Sequence, residues 1–217
     1  MSHHRIVLLG PPACGKGTVA RRLSETLGIP HVSTGQMFRE AMAQGGPLGE
    51  VARQFIDRGQ LVPDDVTMQV VQRWLEAGTG REEFILDGVP RTIGQAQALD
   101  RLLHTRHAAL TAVILIELEE AETLRRVLGR LACESCGALY HQDFVRPQRD
   151  GLCDLCGGNL GRRADDTEAT TRQRLQVYRE LTLAVIAHYE RNGLLRCVDG
   201  NKGKDNVYAS IMEFFGS

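Results

Sequence analysis

The fold class this chain predicts is α/β: a parallel β-sheet flanked by helices, interrupted by an insertion at residues 131–165. Three observations lead there. Short apolar runs alternate with helical patterns along most of the 217 residues, as parallel strands joined by crossover helices require. The first apolar run, RIVLL, leads directly into the glycine-rich stretch GPPACGKGT, which opens a helical pattern. Residues 131–165 break the alternation, with little apolar periodicity, many Gly, Arg and Asp, and four paired cysteines.

The elements follow in order. Residues 5–9 form a buried-strand run, and a helix is expected from Lys16 to about Leu27. Residues 32–45 read as a turn opening a short helix, ended by Gly45-Gly46-Pro47, and residues 48–59 as a second short helix. Residues 63–78 form a third, with Pro63 and two acids at its start, where the helix dipole favours them. EFILDG (83–88) is a strand ending in an acid, residues 92–103 a helix, residues 110–118 a strand and residues 119–130 a helix. Residues 166–193 read as one long amphipathic helix, 194–199 as a last strand and 206–215 as a last helix. Ligands of such sheets bind at the carboxyl ends of the strands. Both Gly10 and Asp87 fall at such ends.

The chain carries 23 arginines and three lysines, and Lys16 is the only lysine before residue 202. A position that stays lysine in an arginine-rich chain calls for a compact ammonium instead of a planar fork. Gly10-x4-Gly15-Lys16 between a strand and a helix supplies the reason. Successive backbone N–H groups there make an anion cradle backed by a helix N-terminus, and the lysine reaches a transferred phosphoryl group. The strict pattern wants Ser or Thr directly after the lysine; here Gly17 intervenes before Thr18. Asp87, at a neighbouring strand end, can hold hydrated Mg²⁺.

A net charge of −1 excludes a strongly basic, nucleic-acid-coating surface. No apolar run approaches transmembrane length, and MSHHRIVLLG is too short for a signal peptide, so a cytoplasmic protein is expected. Cys133-x2-Cys136 and Cys153-x2-Cys156 are separated by sixteen intervening residues, which is zinc-ribbon spacing. Four thiolates leave no open coordination position, so the metal is structural; ligand type alone leaves iron open. Cys14 is expected as a loop thiol and Cys197 as a buried strand residue. From Cys133 to Asp166 four arginines face six acids, which speaks against a nucleic-acid-binding ribbon.

GPPACGKGT, VSTGQMFR, GQLVPDDV, LDGVPRTIGQ, GRLACESCGALYH and RRADDTEATTRQRL follow one another in the order and spacing of adenylate kinases. The chain resembles the long-lid bacterial type with a zinc-bearing lid, a nucleoside monophosphate kinase, over essentially its whole length. The resemblance implies a P-loop core of residues 1–32, 63–128 and 166–217, a helical NMP-binding flap of residues 33–62 and a zinc-ribbon-like lid of residues 129–165. It implies reversible transfer, MgATP + AMP = 2 ADP, by in-line attack of the AMP phosphate on the ATP γ-phosphate, in a monomer with Mg²⁺ and one structural Zn²⁺, and no nucleic-acid or membrane partner.

By the same resemblance, Gly10, Gly15, Lys16, Gly17 and Thr18 are the ATP phosphate loop. Arg126 and Arg130 lie on the ATP side, with Lys202 in its adenine loop. Thr34, Gly35 and Arg39 match the AMP site, Leu61 and Val62 its adenine contacts, and Gly88, Arg91 and Gln95 the segment that holds the AMP phosphate and reads its base. Arg163 and Arg174 close on the phosphates of both nucleotides. Lys16, Arg91, Arg126, Arg163 and Arg174 are the implied catalytic set, and Asp165 and Asp166 match the lid's acidic pair. Ala13, Gln36, Val89, Gly94 and Leu131 depart from the family's usual residues, and none of them removes a phosphate ligand. No Ser-His-Asp or Cys-His pattern is present, and none is needed: a phosphate monoester, with a second pKa of ~6, attacks without a general base. A kinase for another nucleoside monophosphate is the near alternative, with Thr34 and Gln95 favouring AMP by resemblance. A catalytically dead, nucleotide-sensing paralogue is disfavoured because Lys16 and every matched arginine are present.

Overall fold

A computed structural model describes residues 3–77 and 82–216. The expected end of the third helix at Gly78 lies outside the described residues, as do the outermost residues of the expected core segments.

The main sheet has five parallel strands in the order β2-β3-β1-β4-β8. They are β1 (Arg5–Leu9), β2 (His31–Ser33), β3 (Phe84–Asp87), β4 (Ala112–Glu117) and β8 (Leu195–Asp199). Period-two alternation sends successive side chains to opposite faces. Val7, Leu9, Phe84, Leu86, Val113 and Leu115 share one buried cluster. Helices α4 (Asp64–Glu76), α5 (Ile93–Thr105) and α8 (Leu183–Arg191) cover that face through Val71, Leu75, Ala96, Leu99, Val185 and Tyr189. Ile6, Leu8, Ile85, Ile114 and Ile116 point the other way. There α1 (Lys16–Leu27) and α9 (Lys204–Glu213) meet them through Val19, Ala20, Leu23, Val207 and Ile211. With both faces covered, the three inner strands β1, β3 and β4 read as largely apolar runs, while the edge strands β2 and β8 carry polar residues.

Register decides what the carboxyl edge presents. Leu8 pairs with Asp87 and Ser33 also pairs with Asp87. Asp87 therefore emerges directly beside the loop that follows β1. The chain leaves β1 toward β2 on one side and later reaches β4 and β8 on the other, so this loop sits at the switch point where a crevice opens.

Two segments stand away from the sheet. Helices α2 (Thr34–Gln44) and α3 (Pro47–Ile56) place Phe38 and Ala52 in a small separate cluster with Val62 and with Val70 of α4. After α6 (Glu120–Leu128), strands β5 (Arg130–Cys133), β6 (Leu139–His141) and β7 (Leu160–Gly161) form an antiparallel sheet in the order β6-β5-β7. Its buried cluster holds only Cys133, Ala138, Tyr140 and Cys153.

Four features depart from the sequence reading. Residues 31–33 form β2, too short for alternation to reveal. The long helix is α7 (Glu168–Val177) and α8, joined by a π-turn over Tyr178–Thr182. That wide turn brings both Tyr178 and Thr182 to the crevice wall. Cys197, expected to be buried, is exposed, because β8 is the outermost strand and lacks a neighbour on one side. Cys14, expected only as a loop thiol, is 3% exposed and packs into the core under α1. Among the described residues no helix is long and apolar enough to cross a membrane.

Candidate active site

The loop between β1 and α1 curls around its own lysine. Lys16 Nζ donates to the carbonyls of Gly10 and Pro11, 2.8 Å each, and lies 3.4 Å from Cys14 Sγ. The ammonium is thus held at the loop's mouth by acceptors that a phosphate oxygen can replace. Gly10 is obligatory here. Its φ is +142°, and a Cβ would lie 2.4 Å from the Ile116 carbonyl oxygen. Ala13 takes φ 54°, left-handed backbone that costs a non-glycine residue about 1–2 kcal/mol. The glycine usual in the resembling family is therefore explained by backbone conformation.

The loop forms one wall of a cavity of about 690 Å³. Gly10, Gly15, Lys16, Gly17 and Thr18 line it on one side; Thr34, Gly35, Arg39, Leu61 and Val62 face them from the α2–α3 segment. Asp87, Gly88, Arg91 and Gln95 form its floor, and Arg126, Arg130, Arg163, Asp165 and Arg174 its far wall. Two expected residues stand off this surface. Asp166 lies behind it, its side chain 1% exposed. Lys202 is exposed, and the wall there is made by Gly200, Asn201, Gly203 and Lys204 instead.

The electrostatics are those of a cationic crevice with few counter-charges. Burial opposes ionisation of Asp87, yet His31, Lys16 and Arg91 hold its carboxyl below the usual range. Burial lowers Arg91, with Asp87 opposing and Arg174 and Arg39 adding to the effect. Arg39 is lowered by burial, partly offset by Asp165. Arg163 is pushed down to about 9 by burial and by Arg39 and Arg130, so it remains charged at neutral pH. Arg130 donates to both oxygens of Asp166, 2.7 Å from Nε, while Arg174 pairs with Asp165 and reaches Asp166 at 3.5 Å. Guanidinium forks crowded into a crevice bind multiply charged oxyanions bidentately.

The supporting contacts come from several elements. Arg91 N–H donates to Gln95 Oε1 at 2.7 Å, and Thr182 in the π-turn donates to the Arg91 carbonyl at 3.0 Å. Arg126 donates to Glu122 at 2.7 Å and to the Gly200 carbonyl at 3.0 Å, tying α6 to the loop after β8. At the cavity's outer end His141 stacks on Phe144 with centroids 4.2 Å apart. The Arg125 guanidinium lies 4.2 Å from the Phe144 ring. Sequence reasoning passed over Tyr140, His141, Phe144, Arg125 and Tyr178, all of which line the cavity. An aromatic two residues beyond a paired histidine and glutamine carries no signal unless the strand pairing is known.

The four paired cysteines converge. Their sulfurs all lie within 4.8 Å of one another, with Cys133–Cys156 at 3.5 Å and Cys136–Cys153 at 3.6 Å. Metal–sulfur bonds of about 2.3 Å to a tetrahedral ion give edges of roughly 3.8 Å, so the thiols fit a four-coordinate metal. Tyr140 Oη accepts the Asp154 N–H at 2.8 Å and sits 3.5 Å from Cys153 Sγ, where its O–H can donate to the thiolate and orient it. That hydroxyl is the main reason the Cys153 thiol is pulled down to about 6.

Comparison with known proteins agrees with this geometry. The family model described as adenylate kinase matches residues 8–194. An adenylate kinase of Moorella thermoacetica is 48% identical over 212 residues, covering 98% of both chains. That of Clostridium tetani is 43% identical over 212 residues at the same coverage, and that of Archaeoglobus fulgidus 44% identical over 206 residues, 95% of each. With likeness of this degree running from end to end, the chain belongs to the adenylate kinase family.

Proposed function

We infer that this protein is a nucleoside monophosphate kinase that interconverts MgATP + AMP and two ADP. One observation carries the reading: Lys16 and five arginines, 39, 91, 130, 163 and 174, face a single cavity between a phosphate loop and a helical segment. Phosphoryl transfer asks a protein for positioning and charge neutralisation, with little covalent chemistry. The phosphate loop holds the β- and γ-phosphates of ATP, with Lys16 leaving its carbonyl partners for the migrating group. Arg126 and Arg130 serve the ATP side. Arg39 and Arg91 hold the AMP phosphate, and Arg163 and Arg174 span both. Thr34, Gly35, Leu61, Val62, Gly88 and Gln95 form the AMP pocket, and Lys202 belongs to the ATP adenine loop. Asp165 and Asp166 hold Arg130 of the lid and Arg174 of α7 in place.

Asp87 is the group to hold hydrated Mg²⁺. It is kept ionised inside the crevice, and the ion brings charge neutralisation to the ATP phosphates. The four cysteines hold one structural Zn²⁺, which supplies fold and no chemistry. Residues 33–62 act as a flap and residues 129–165 as a lid; closing both excludes water, the competing acceptor. We place the enzyme in the cytoplasm as a monomer, a compartment that suits six cysteines with no disulfide between them.

The test is a coupled assay of ADP formation from ATP with AMP, CMP, UMP or GMP, with and without Mg²⁺. ADP formation from ATP and AMP should far exceed ATP hydrolysis alone and vanish with chelation. Equal rates with and without AMP reject the reading.

A further inference from the structure

We propose that Asp64 sets the base preference of the acceptor site by fixing which way the Gln95 carboxamide points. Gln95 lines the cavity yet is only 2% exposed. Its Oε1 accepts the Arg91 N–H at 2.7 Å, and its Nε2 donates to Asp64 Oδ1 at 2.8 Å. A backbone N–H can only donate and a carboxylate can only accept. Turning the amide over would set N–H against N–H and oxygen against carboxylate, so the partners permit one orientation. Asp64 is itself held. Its Oδ2 accepts from Thr92 Oγ1 at 2.6 Å, and Thr92 Oγ1 accepts the Gln95 N–H at 3.1 Å, closing a ring of contacts at the start of α5. Gly94 leaves this ring room, because a Cβ there would stand 2.8 Å from Asp64 Oδ2. This gives the departure at Gly94 a structural consequence.

An amide with one N–H and one carbonyl lone pair still free matches an adenine edge, which offers a ring-nitrogen acceptor beside the N6 donor. Hypoxanthine carries the mirror pattern on its Watson–Crick edge, an N1–H donor beside an O6 acceptor. A locked carboxamide therefore favours AMP over IMP, whereas one free to turn serves either base. Asp64 also lies in the first turn of α4, where an acid suits the helix dipole. That role alone predicts no effect on base choice. The inference rests on Gln95 meeting the acceptor base, as proposed above.

The measurement is the ratio of kcat/KM for AMP to that for IMP at fixed MgATP. In Asp64→Ala the ratio should fall by about tenfold or more, the effect of one unpaired buried group, with the KM for ATP unchanged. Asp64→Asn keeps a carbonyl acceptor for Nε2–H and should hold the ratio within about threefold. Gly94→Ala, which presses on the same carboxylate and keeps every polar group, should lower the ratio in the same direction. A ratio unchanged in Asp64→Ala, or in Gly94→Ala if Asp64→Ala does not fold, overturns the inference. Gln95→Leu separates the two levels. If it collapses the ratio and Asp64→Ala does not, the orientation lock alone fails. If Gln95→Leu leaves the ratio intact, the base-reading role fails and the lock with it.

Discussion

Asp166→Asn is the substitution that most directly probes how the crevice tolerates its own charge. The Asp166 side chain is 1% exposed, both its oxygens are bound by Arg130, and Arg174 lies 3.5 Å away. With Asp165 it is one of two carboxylates offsetting Arg39, Arg130, Arg163 and Arg174; Arg163 is lowered to about 9 first by burial and then by Arg39 and Arg130, with Asp166 and Asp165 opposing. Asparagine keeps the shape but removes the charge and one acceptor from the Arg130 fork. Breaking a buried pair on one side costs about 3–5 kcal/mol. At about 2–4 °C per kcal/mol for a chain of this size, the melting temperature should drop by about 6–20 °C. Scanning calorimetry with and without inorganic tripolyphosphate tests the cause. A polyanion in the crevice replaces the lost negative charge, so it should raise the variant's melting temperature more than the parent's. A variant that melts within about 2 °C of the parent, or a parent that gains at least as much from tripolyphosphate, refutes the charge-balance account.

Three further outcomes are expected. Lys16→Met should lower kcat by orders of magnitude, whereas Arg91→Ala should also raise the KM for AMP, since Arg91 holds ground-state phosphate as well; steady-state kinetics with each nucleotide varied separates them. Cys156→Ser should bind less metal than the parent when both are measured by elemental analysis, melt earlier and expose the lid to protease, yet keep kcat within roughly tenfold below that melting point, because no phosphate ligand is lost. Ala13→Gly should stabilise the protein by about 0.5–1 kcal/mol in urea unfolding: it relieves about 1–2 kcal/mol of left-handed strain at φ 54° and gives back about 0.4–1 kcal/mol in unfolded-chain entropy.

The sequence by itself determined whatever depends on a few neighbouring residues. Apolar runs buried on both faces marked β1, β3 and β4, and the 3.6-residue period with its terminal signals marked the helices. The spacing of Gly10, Gly15 and Lys16 and of the two cysteine pairs carried the phosphate loop and the metal site, because each is a local device whose geometry follows from its own backbone. Only the tertiary structure decided what is made through space. The β2 strand is three residues long and exists because β3 lies beside it. Cys197 is exposed because β8 is the outermost strand, a matter of sheet order that no local pattern encodes. The π-turn that aims Thr182 at the Arg91 carbonyl joins residues 91 positions apart, and the Asp64–Gln95 contact joins residues 31 apart. Such pairs are chosen by the packing of whole elements. A lone Asp at a helix start therefore reads as a dipole partner until the sheet sets α4 and α5 side by side and the carboxylate meets the one amide it can orient.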